Sequence, residues 1–141
     1  MTRRESRISA FELLFEAGFH KGTDPEKIYG NALEIRGAGT SEFTFELYDV
    51  CMKHLDEIDT LIGSASEKWK VSRMNRVTRT ILRLAVGEFM YTDTPPKAAI
   101  NEAVEIAKIY GDDKAPAFVN GVLNRLARSQ GKLADSAEAQ P

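Results

Sequence analysis

Cysteine is almost absent from this chain of 141 residues, because Cys51 is the only one. A single thiol excludes an internal disulfide framework and a zinc site built from several cysteines. Together with the lack of a recognisable signal peptide, it predicts a cytoplasmic protein, since thiols stay reduced in that compartment. We expect Cys51 to be a small buried hydrophobic residue rather than a reactive thiol.

Long apolar runs and a strong net charge are also missing. No stretch approaches the roughly 20 apolar residues that cross a bilayer. The formal net charge is only −2, so binding to nucleic acid would have to use a local basic patch. The length is typical of one domain, and we predict a single domain over residues 1–130 with a flexible polar tail over 131–141.

Motifs for catalysis or metal binding are scarce as well. The two histidines, His20 and His54, do not have the spacing of a metal-binding helix motif. No glycine-rich loop follows a predicted strand, so no phosphate-binding loop for ATP or a dinucleotide is indicated. Glu102 and Glu105 are three residues apart on a predicted helix, where a solvated edge is commoner than an acid–base pair. We therefore expect no enzyme activity, no metal and no cofactor.

Apolar spacing and helix-breaking residues predict an all-α protein. Apolar residues recur with helical spacing between glycine and proline breaks, and no alternating run is long enough for a sheet. About six or seven helices are expected. We place them over 3–19, from 24 to about 36, over 41–62 as one long helix, from Ser66 or Ser72 to about Thr92, from the prolines at 95–96 to Gly111, and after Asp112, Asp113 and Pro116.

The basic residues are unevenly distributed along the chain. The segment 68–83 contains six basic residues and no acidic one, whereas the segment 42–59 contains six acidic residues. If one helix carries the basic segment, four arginines share an outward-facing arc of about 120° beside its apolar stripe. These four are Arg73, Arg76, Arg79 and Arg83.

The N-terminus carries a second group of arginines. Arg3 and Arg7 are one turn apart on the first predicted helix, with Arg4 beside them. A planar guanidinium binds two phosphate oxygens and also stacks on bases, and Trp69 offers an aromatic face of the kind that single-stranded RNA uses. The residues alone leave two interpretations open: an RNA-binding surface, or arginines paired with carboxylates of the same chain around a buried tryptophan.

Three segments of the chain resemble the NusB family of bacterial transcription antitermination factors. The first is RRESR at 3–7 followed by AFELLF at 10–15. The second is Trp69 and Arg73, followed by VTRTILRLA at 77–85 and then Glu88. The third and most specific is the pair INEAVEIAK at 100–108 and FVNGVL at 118–123. Together the three segments extend over most of the chain, from about residue 3 to residue 128.

The resemblance implies a fold of two packed helical bundles and a function in transcription. Members bind boxA, a single-stranded element of ribosomal RNA transcripts, together with NusE, a protein of the small ribosomal subunit. With RNA polymerase and other Nus factors they suppress termination. Carried over by position, the residues at or near RNA would be Arg3, Arg4, Arg7, Trp69, Arg73, Arg79, Arg83, Phe118, Asn120 and Gly121. The residues at the protein partner would be Phe15 and Thr78.

Other interpretations stay open at this level. The same helical domain precedes the catalytic domain in a family of rRNA cytosine methyltransferases, so an RNA-targeting domain of that kind is one alternative. A purely protein-binding helical adaptor is another. For the segment FVNGVL, packing is an alternative to RNA contact, with Asn120 capping backbone groups and Gly121 allowing close helix approach. Glu5 and Ser6 also interrupt the arginine motif and lower its charge.

Overall fold

A computed structural model describes residues 1–18, 24, 26–27, 30, 41–66 and 70–133. Within these ranges the chain forms six α-helices, one short 3₁₀ helix and no strand, which confirms the predicted all-α class. The α-helices are α1 (Arg3–Ala17), α2 (Glu42–Lys53), α3 (Leu55–Ala65), α4 (Arg76–Tyr91), α5 (Pro96–Tyr110) and α6 (Ala115–Ser129), and the 3₁₀ helix is Val71–Arg73. The helix predicted from 24 to about 36 lies largely outside the described residues.

Several helix ends coincide with the predicted breaks. Thr92 and Gly111 directly follow α4 and α5, whereas α1 ends at Ala17, two residues before its predicted end at 19. Just before α6, the Asp112 side chain accepts hydrogen bonds from the backbone N–H groups of Lys114 and Ala115, both at 3.0 Å. These boundaries depend on short-range chemistry, which explains why the local sequence was enough to predict them.

The long helix predicted over 41–62 is wrong, because the chain breaks at His54. The backbone of His54 has φ −113° and ψ 23°, so α2 ends before it and α3 begins after it. The His54 ring stacks on Tyr91 of α4 at a centroid distance of 3.8 Å. The partner for this corner comes from a distant part of the chain, so helical periodicity could not reveal the break.

The predicted caps of the next helix, Ser66 and Ser72, are also wrong. Asn75 caps α4, and its side-chain oxygen accepts hydrogen bonds from the backbone N–H groups of Val77 and Thr78. The 3₁₀ helix lies between Ser66 and this cap. Consequently the 3₁₀ helix, rather than α4, carries Arg73.

The six helices share one hydrophobic core. Helix α1 packs on α2 and α4, whereas α6 packs on α3, α4 and α5, so α4 belongs to both groups. This arrangement agrees with the two packed bundles implied by the resemblance. Each helix contributes buried residues to one apolar cluster, for example Leu13, Leu47, Ile58, Ile81, Ile106 and Leu123.

Cys51 is fully buried where α2 approaches α4, as expected for a small hydrophobic residue. A Cβ added to Gly87 would overlap the Cys51 Sγ atom, so this approach requires glycine on α4. The thiol donates a hydrogen bond to the Arg83 carbonyl oxygen at 3.4 Å. Burial raises the pKa of the Cys51 thiol, which keeps it protonated.

The ends of the chain bear on two further predictions. Residues 134–141 lie outside the described ranges, so the single domain over 1–130 and the flexible tail over 131–141 stay predictions. Among the residues that are described, no helix combines the length and the hydropathy needed to cross a lipid bilayer.

Candidate RNA-binding interface

A capping box at the beginning of α1 fixes the arginine motif in helical form. The Glu5 backbone N–H donates to Thr2 Oγ1 at 3.0 Å, and the Thr2 backbone N–H donates to Glu5 Oε1 at 2.7 Å. These hydrogen bonds from Thr2 hold the pKa of the Glu5 carboxyl below its usual value. The acidic residue inside the motif therefore starts the helix that presents the arginines.

The Arg7 guanidinium is buried against Glu88 of α4. Arg7 Nε and Nη2 donate to the Glu88 carboxylate at 2.7 to 3.0 Å, and the two residues are only 8% and 1% exposed. Arg7 Nη1 also lies 3.7 Å from Glu102 Oε1 on α5. The pair joins α1 to α4, so Arg7 holds the N-terminal turn of α1 in place against α4.

Arg4 forms a surface ion pair with Glu102. Arg4 Nε and Nη2 donate to the two Glu102 oxygens at 3.1 and 2.9 Å. The hydrogen bond from Arg4 and the charges of Arg4 and Arg7 hold the pKa of the Glu102 carboxyl below its usual value. The Arg4 side chain remains 53% exposed, so its other N–H groups are open to a ligand.

Arg3 lies over the ring of Phe43 on α2. The guanidinium carbon is 3.9 Å from the ring centroid, whereas that of Arg7 is 5.3 Å away. This is a cation–π contact, in which a planar cation stacks on an aromatic face. Phe43 was not among the predicted site residues, because nothing in the local sequence distinguishes it from a core aromatic residue.

A cleft of about 1200 Å³ opens beside this contact. Its walls are the N-terminal turns of α1 and α2 and the connection between α4 and α5. Arg3, Arg7 and Phe43 line one side, and Thr92 and Thr94 line another. The first-helix arginines therefore border a space large enough for part of a nucleic-acid strand.

Asn120 lies close to Arg4. Both line a depression of about 360 Å³ between α1, α5 and α6. The segment FVNGVL lies within α6. Asn120 is exposed, and its side-chain oxygen accepts a hydrogen bond from the Asn124 side chain at 3.0 Å. A Cβ on Gly121 would meet only Arg125 Nη1, at an ordinary 3.5 Å, so helix packing does not require glycine there.

Phe118 lines a different pocket, which lies at the beginning of α4. This pocket has a volume of about 280 Å³ and is also lined by Arg73, Thr78 and Lys114. Thr78 itself is nearly buried, at 9% exposure. The structure thus brings two predicted RNA-binding residues together with one predicted partner-binding residue, away from Arg4.

The arginines of α4 do not form the outward-facing arc that the spacing predicted. Arg83 Nε and Nη2 donate to the Asp59 carboxylate of α3 at 2.8 and 2.7 Å. Arg79 Nη1 donates to the Val71 carbonyl at 3.4 Å, and its Nε is buried with no hydrogen-bond partner in the described part of the chain. Burial, and then the charges of Arg83 and Arg76, lower the pKa of Arg79. Helix α3 packs beside these arginines, and its Asp59 supplies the carboxylate that the basic segment lacks.

The two groups of arginines lie on different faces of α4. Arg7 contacts α4 at Glu88, five residues after Arg83, and a helix turns about 100° per residue. The two contacts are therefore about 140° apart around the helix axis. Trp69, which the sequence placed beside the second group, lies outside the described residues.

Phe15 lies at the other end of α1 from the arginines. Its ring is 6.2 Å from that of Phe11, which in turn lies 4.9 Å from Tyr110 of α5. Tyr110 and its neighbour Ile109 are 40% and 60% exposed. Phe15, the predicted partner residue, is thus connected through Phe11 to these exposed residues. We call Phe15, Ile109 and Tyr110 the apolar patch.

Comparison with known proteins shows which family the chain belongs to. A model described as the NusB family matches residues 4–128. The chain belongs to the NusB family. The transcription antitermination protein NusB of Lachnoclostridium phytofermentans is 42% identical over 130 residues, which cover 89% of this chain and 98% of that protein. NusB of Desulforamulus reducens is 37% identical over 137 residues, covering 95% of each chain.

Solved structures of the family have the same fold. A structure of T. maritima NusB has a TM-score of 0.81 and 34% identity, and the match covers 94% of this chain and 96% of that one. A crystal structure of the antitermination factors NusB and NusE in complex with dsRNA has a TM-score of 0.79 and 28% identity, with 90% and 96% covered. The family resemblance inferred from the sequence segments is thereby confirmed.

Proposed function

We propose that this chain is a transcription antitermination factor that binds boxA-type RNA of ribosomal RNA transcripts together with NusE. It acts in the cytoplasm as a non-catalytic adaptor and reaches RNA polymerase and other Nus factors through that complex. Family membership over residues 4–128 supports the proposal, as does the family complex that contains NusE and RNA. The structural observation that carries it is the exposed position of Arg4 beside Asn120, where two family-like segments meet.

The residues of the motif take different parts in this proposal. Arg3 and Arg4 are exposed and contact the RNA, and Asn120 borders the same surface. Arg7 is buried and paired with Glu88, so it positions the motif instead of gripping a phosphate. Gly121 lets the strand approach α6 closely because it adds no side chain.

The basic residues of the second group divide in the same way. Arg79 and Arg83 are engaged with the 3₁₀ helix and α3, and they hold that part of the fold together. Arg73 and Phe118 share the pocket at the beginning of α6, where they extend the RNA path next to Thr78. Trp69 remains a candidate stacking residue on sequence grounds alone.

The protein partner is assigned to the apolar patch at the far end of α1. The patch formed by Phe15, Ile109 and Tyr110 is the kind of surface that mediates protein association. Its distance from Arg3 along α1, about 18 Å over twelve residues, leaves room for RNA and protein to bind together.

Binding of boxA RNA tests the proposal directly. We would measure affinity as a function of salt, with and without NusE, for the wild type and Arg3→Ala/Arg4→Ala. The double variant should bind more weakly and with a smaller salt slope, by about 0.7 for each lost phosphate contact to a single strand. Lys53→Ala/Lys132→Ala is the matched control, because it removes the same charge from exposed positions on other surfaces.

The outcome separates the proposal from its alternatives. Equal affinity of the wild type and Arg3→Ala/Arg4→Ala would show that the arginines of α1 do not contact the RNA. Binding of NusE with no salt-dependent RNA affinity would favour the purely protein-binding adaptor.

A further inference from the structure

We propose that Arg3 and Phe43 form a stacking site that holds one unpaired base of the bound RNA in the cleft between α1 and α2. This inference rests on the proposed function and assigns part of its RNA surface to base contact rather than phosphate contact. It also adds to that surface a residue, Phe43, that the sequence did not indicate.

The geometry of the contact leaves one guanidinium face available. Arg3 Cζ lies over the Phe43 ring at 3.9 Å from its centroid, a separation at which a planar cation and an aromatic ring are in contact. Arg3 is exposed and lines the cleft of about 1200 Å³, so its opposite face is accessible from that cleft. RNA bases that are not paired stack on aromatic rings and on arginine planes alike.

The platform is fixed before any ligand binds. Phe43 is half-buried and packs against the hydrophobic core. Close by in the sequence, Ser6 Oγ and Ser41 Oγ share a hydrogen bond of 2.8 Å, and Thr44 Oγ1 donates to the Ser6 carbonyl at 3.0 Å. These contacts tie α1 to α2 at the level of the stack. A base would therefore meet a pre-organised surface, which lowers the entropy lost on binding.

The charge of the cleft favours a base over a phosphate. Besides Arg3 and Arg7, the cleft is lined by Glu42, Glu46 and Asp93. Arg7 is already neutralised by Glu88, so the lining carries no surplus of positive charge for an anion. A neutral base avoids repulsion from these carboxylates and uses the plane of Arg3 more than its charge.

Two substitutions separate stacking from charge. Arg3→Lys keeps the charge and removes the planar group, so RNA affinity should fall while the salt slope stays unchanged. Phe43→Leu removes the aromatic support, and Phe43→Trp retains it. Loss of one stacked base should reduce affinity by about 5- to 150-fold, and Phe43→Trp should bind like the wild type.

A matched control lies on the same helix. Phe45 is an exposed aromatic residue of α2, 43% accessible, that lines a different cavity. Phe45→Leu should therefore leave RNA affinity unchanged. Thermal unfolding of every variant distinguishes a lost contact from a lost fold, and Arg3→Lys, at an exposed position, tests the site even if Phe43→Leu is unstable.

The measurement is the affinity for single-stranded boxA RNA, supported by RNA that carries 2-aminopurine at successive positions. Quenching at one position in the wild type, lost in Arg3→Lys and Phe43→Leu, is the expected result. If the wild type binds and both variants bind equally well with the same quenching, the stacking site is refuted while the proposed function stands. If Arg3→Lys binds as tightly as the wild type, the charge alone is sufficient, the contact is with phosphate and the inference is wrong. If the wild type binds no boxA RNA with or without NusE, the proposed function fails first.

Discussion

Arg7 and Glu88 form a bidentate ion pair that is almost inaccessible to solvent and joins the first helix to α4. The pair holds the N-terminal turn of α1, which carries the arginine motif, against α4. Of the three arginines in the motif, Arg7 has a structural function. Its pairing fixes the helix turn from which Arg3 and Arg4 project. Arg3 then reaches Phe43, and Arg4 reaches Glu102.

Breaking the buried pair should destabilise the fold strongly. Arg7→Ala leaves Glu88 buried and uncompensated, so the free energy of unfolding should fall by about 3–5 kcal/mol. Arg4→Ala, which removes an exposed pair, should cost far less. Urea unfolding followed by circular dichroism measures both. Equal stability of Arg7→Ala and Arg4→Ala would contradict the structural part given to Arg7.

Removing the Glu102 charge should strengthen RNA binding. Glu102 holds two of the Arg4 nitrogens and places a negative charge beside the proposed phosphate path. Glu102→Gln should raise affinity about two- to fivefold, which is the scale of an exposed ion pair. Asp49→Asn is the matched control, because Asp49 forms an ion pair with Lys53 on α2 and lines a different cavity. A fall in affinity for Glu102→Gln would show that Glu102 orients Arg4 and does not compete for it.

The same ion pair predicts a dependence of stability on pH. The pKa of Glu102 is lower in the folded protein than its usual value near 4.5, because Arg4 donates hydrogen bonds to the carboxylate. The unfolded chain therefore takes up this proton first as pH falls, and the stabilisation is present above about 4.5 and lost as pH drops through the folded pKa. Melting temperatures of the wild type and Glu102→Gln should differ at pH 7 and converge toward pH 3. A difference that persists at pH 3 would mean that the ion pair is not its source.

A methyl group at position 87 should clash with Cys51 of α2 and lower the stability of the fold. Gly87→Ala places a Cβ against Cys51 Sγ in the core, and overpacking of this kind costs about 1–3 kcal/mol. Cys51→Ala/Gly87→Ala should recover part of that loss, because the sulfur that causes the clash is gone. Denaturant unfolding of the two single variants and the double variant measures the coupling. Additive losses would show that the close approach of α2 and α4 is not what requires glycine.

The sequence predicted what depends on neighbouring residues and missed what depends on distant ones. Gly111 ends one helix and the Asp112 side chain accepts backbone hydrogen bonds at the beginning of the next, and both predictions are confirmed. The break at His54 and the pairing of Arg83 with Asp59 each require a residue from another helix. A count of charges within one segment therefore treated Arg83 as free for a ligand.

The candidate site shows the same division. Arg3 and Arg4 were named from a local motif and from family resemblance, and the structure places both at the surface. Phe43 lies forty residues after Arg3, and only the packing of α1 on α2 brings the two together. Glu88 was part of the family-like pattern, yet its function as the partner of Arg7 becomes visible only in the fold.

RNA is expected to bind at the N-terminal turn of α1 and the adjoining surface of α6. Titration of the ¹⁵N-labelled wild-type protein with boxA RNA, followed by NMR shift mapping, locates the bound RNA on the protein. We expect the largest shifts at Arg3, Arg4, Phe43 and Asn120, with little change at Arg79 and Arg83. Shifts confined to the Arg79 and Arg83 face, or no shifts with or without NusE, would contradict this expectation.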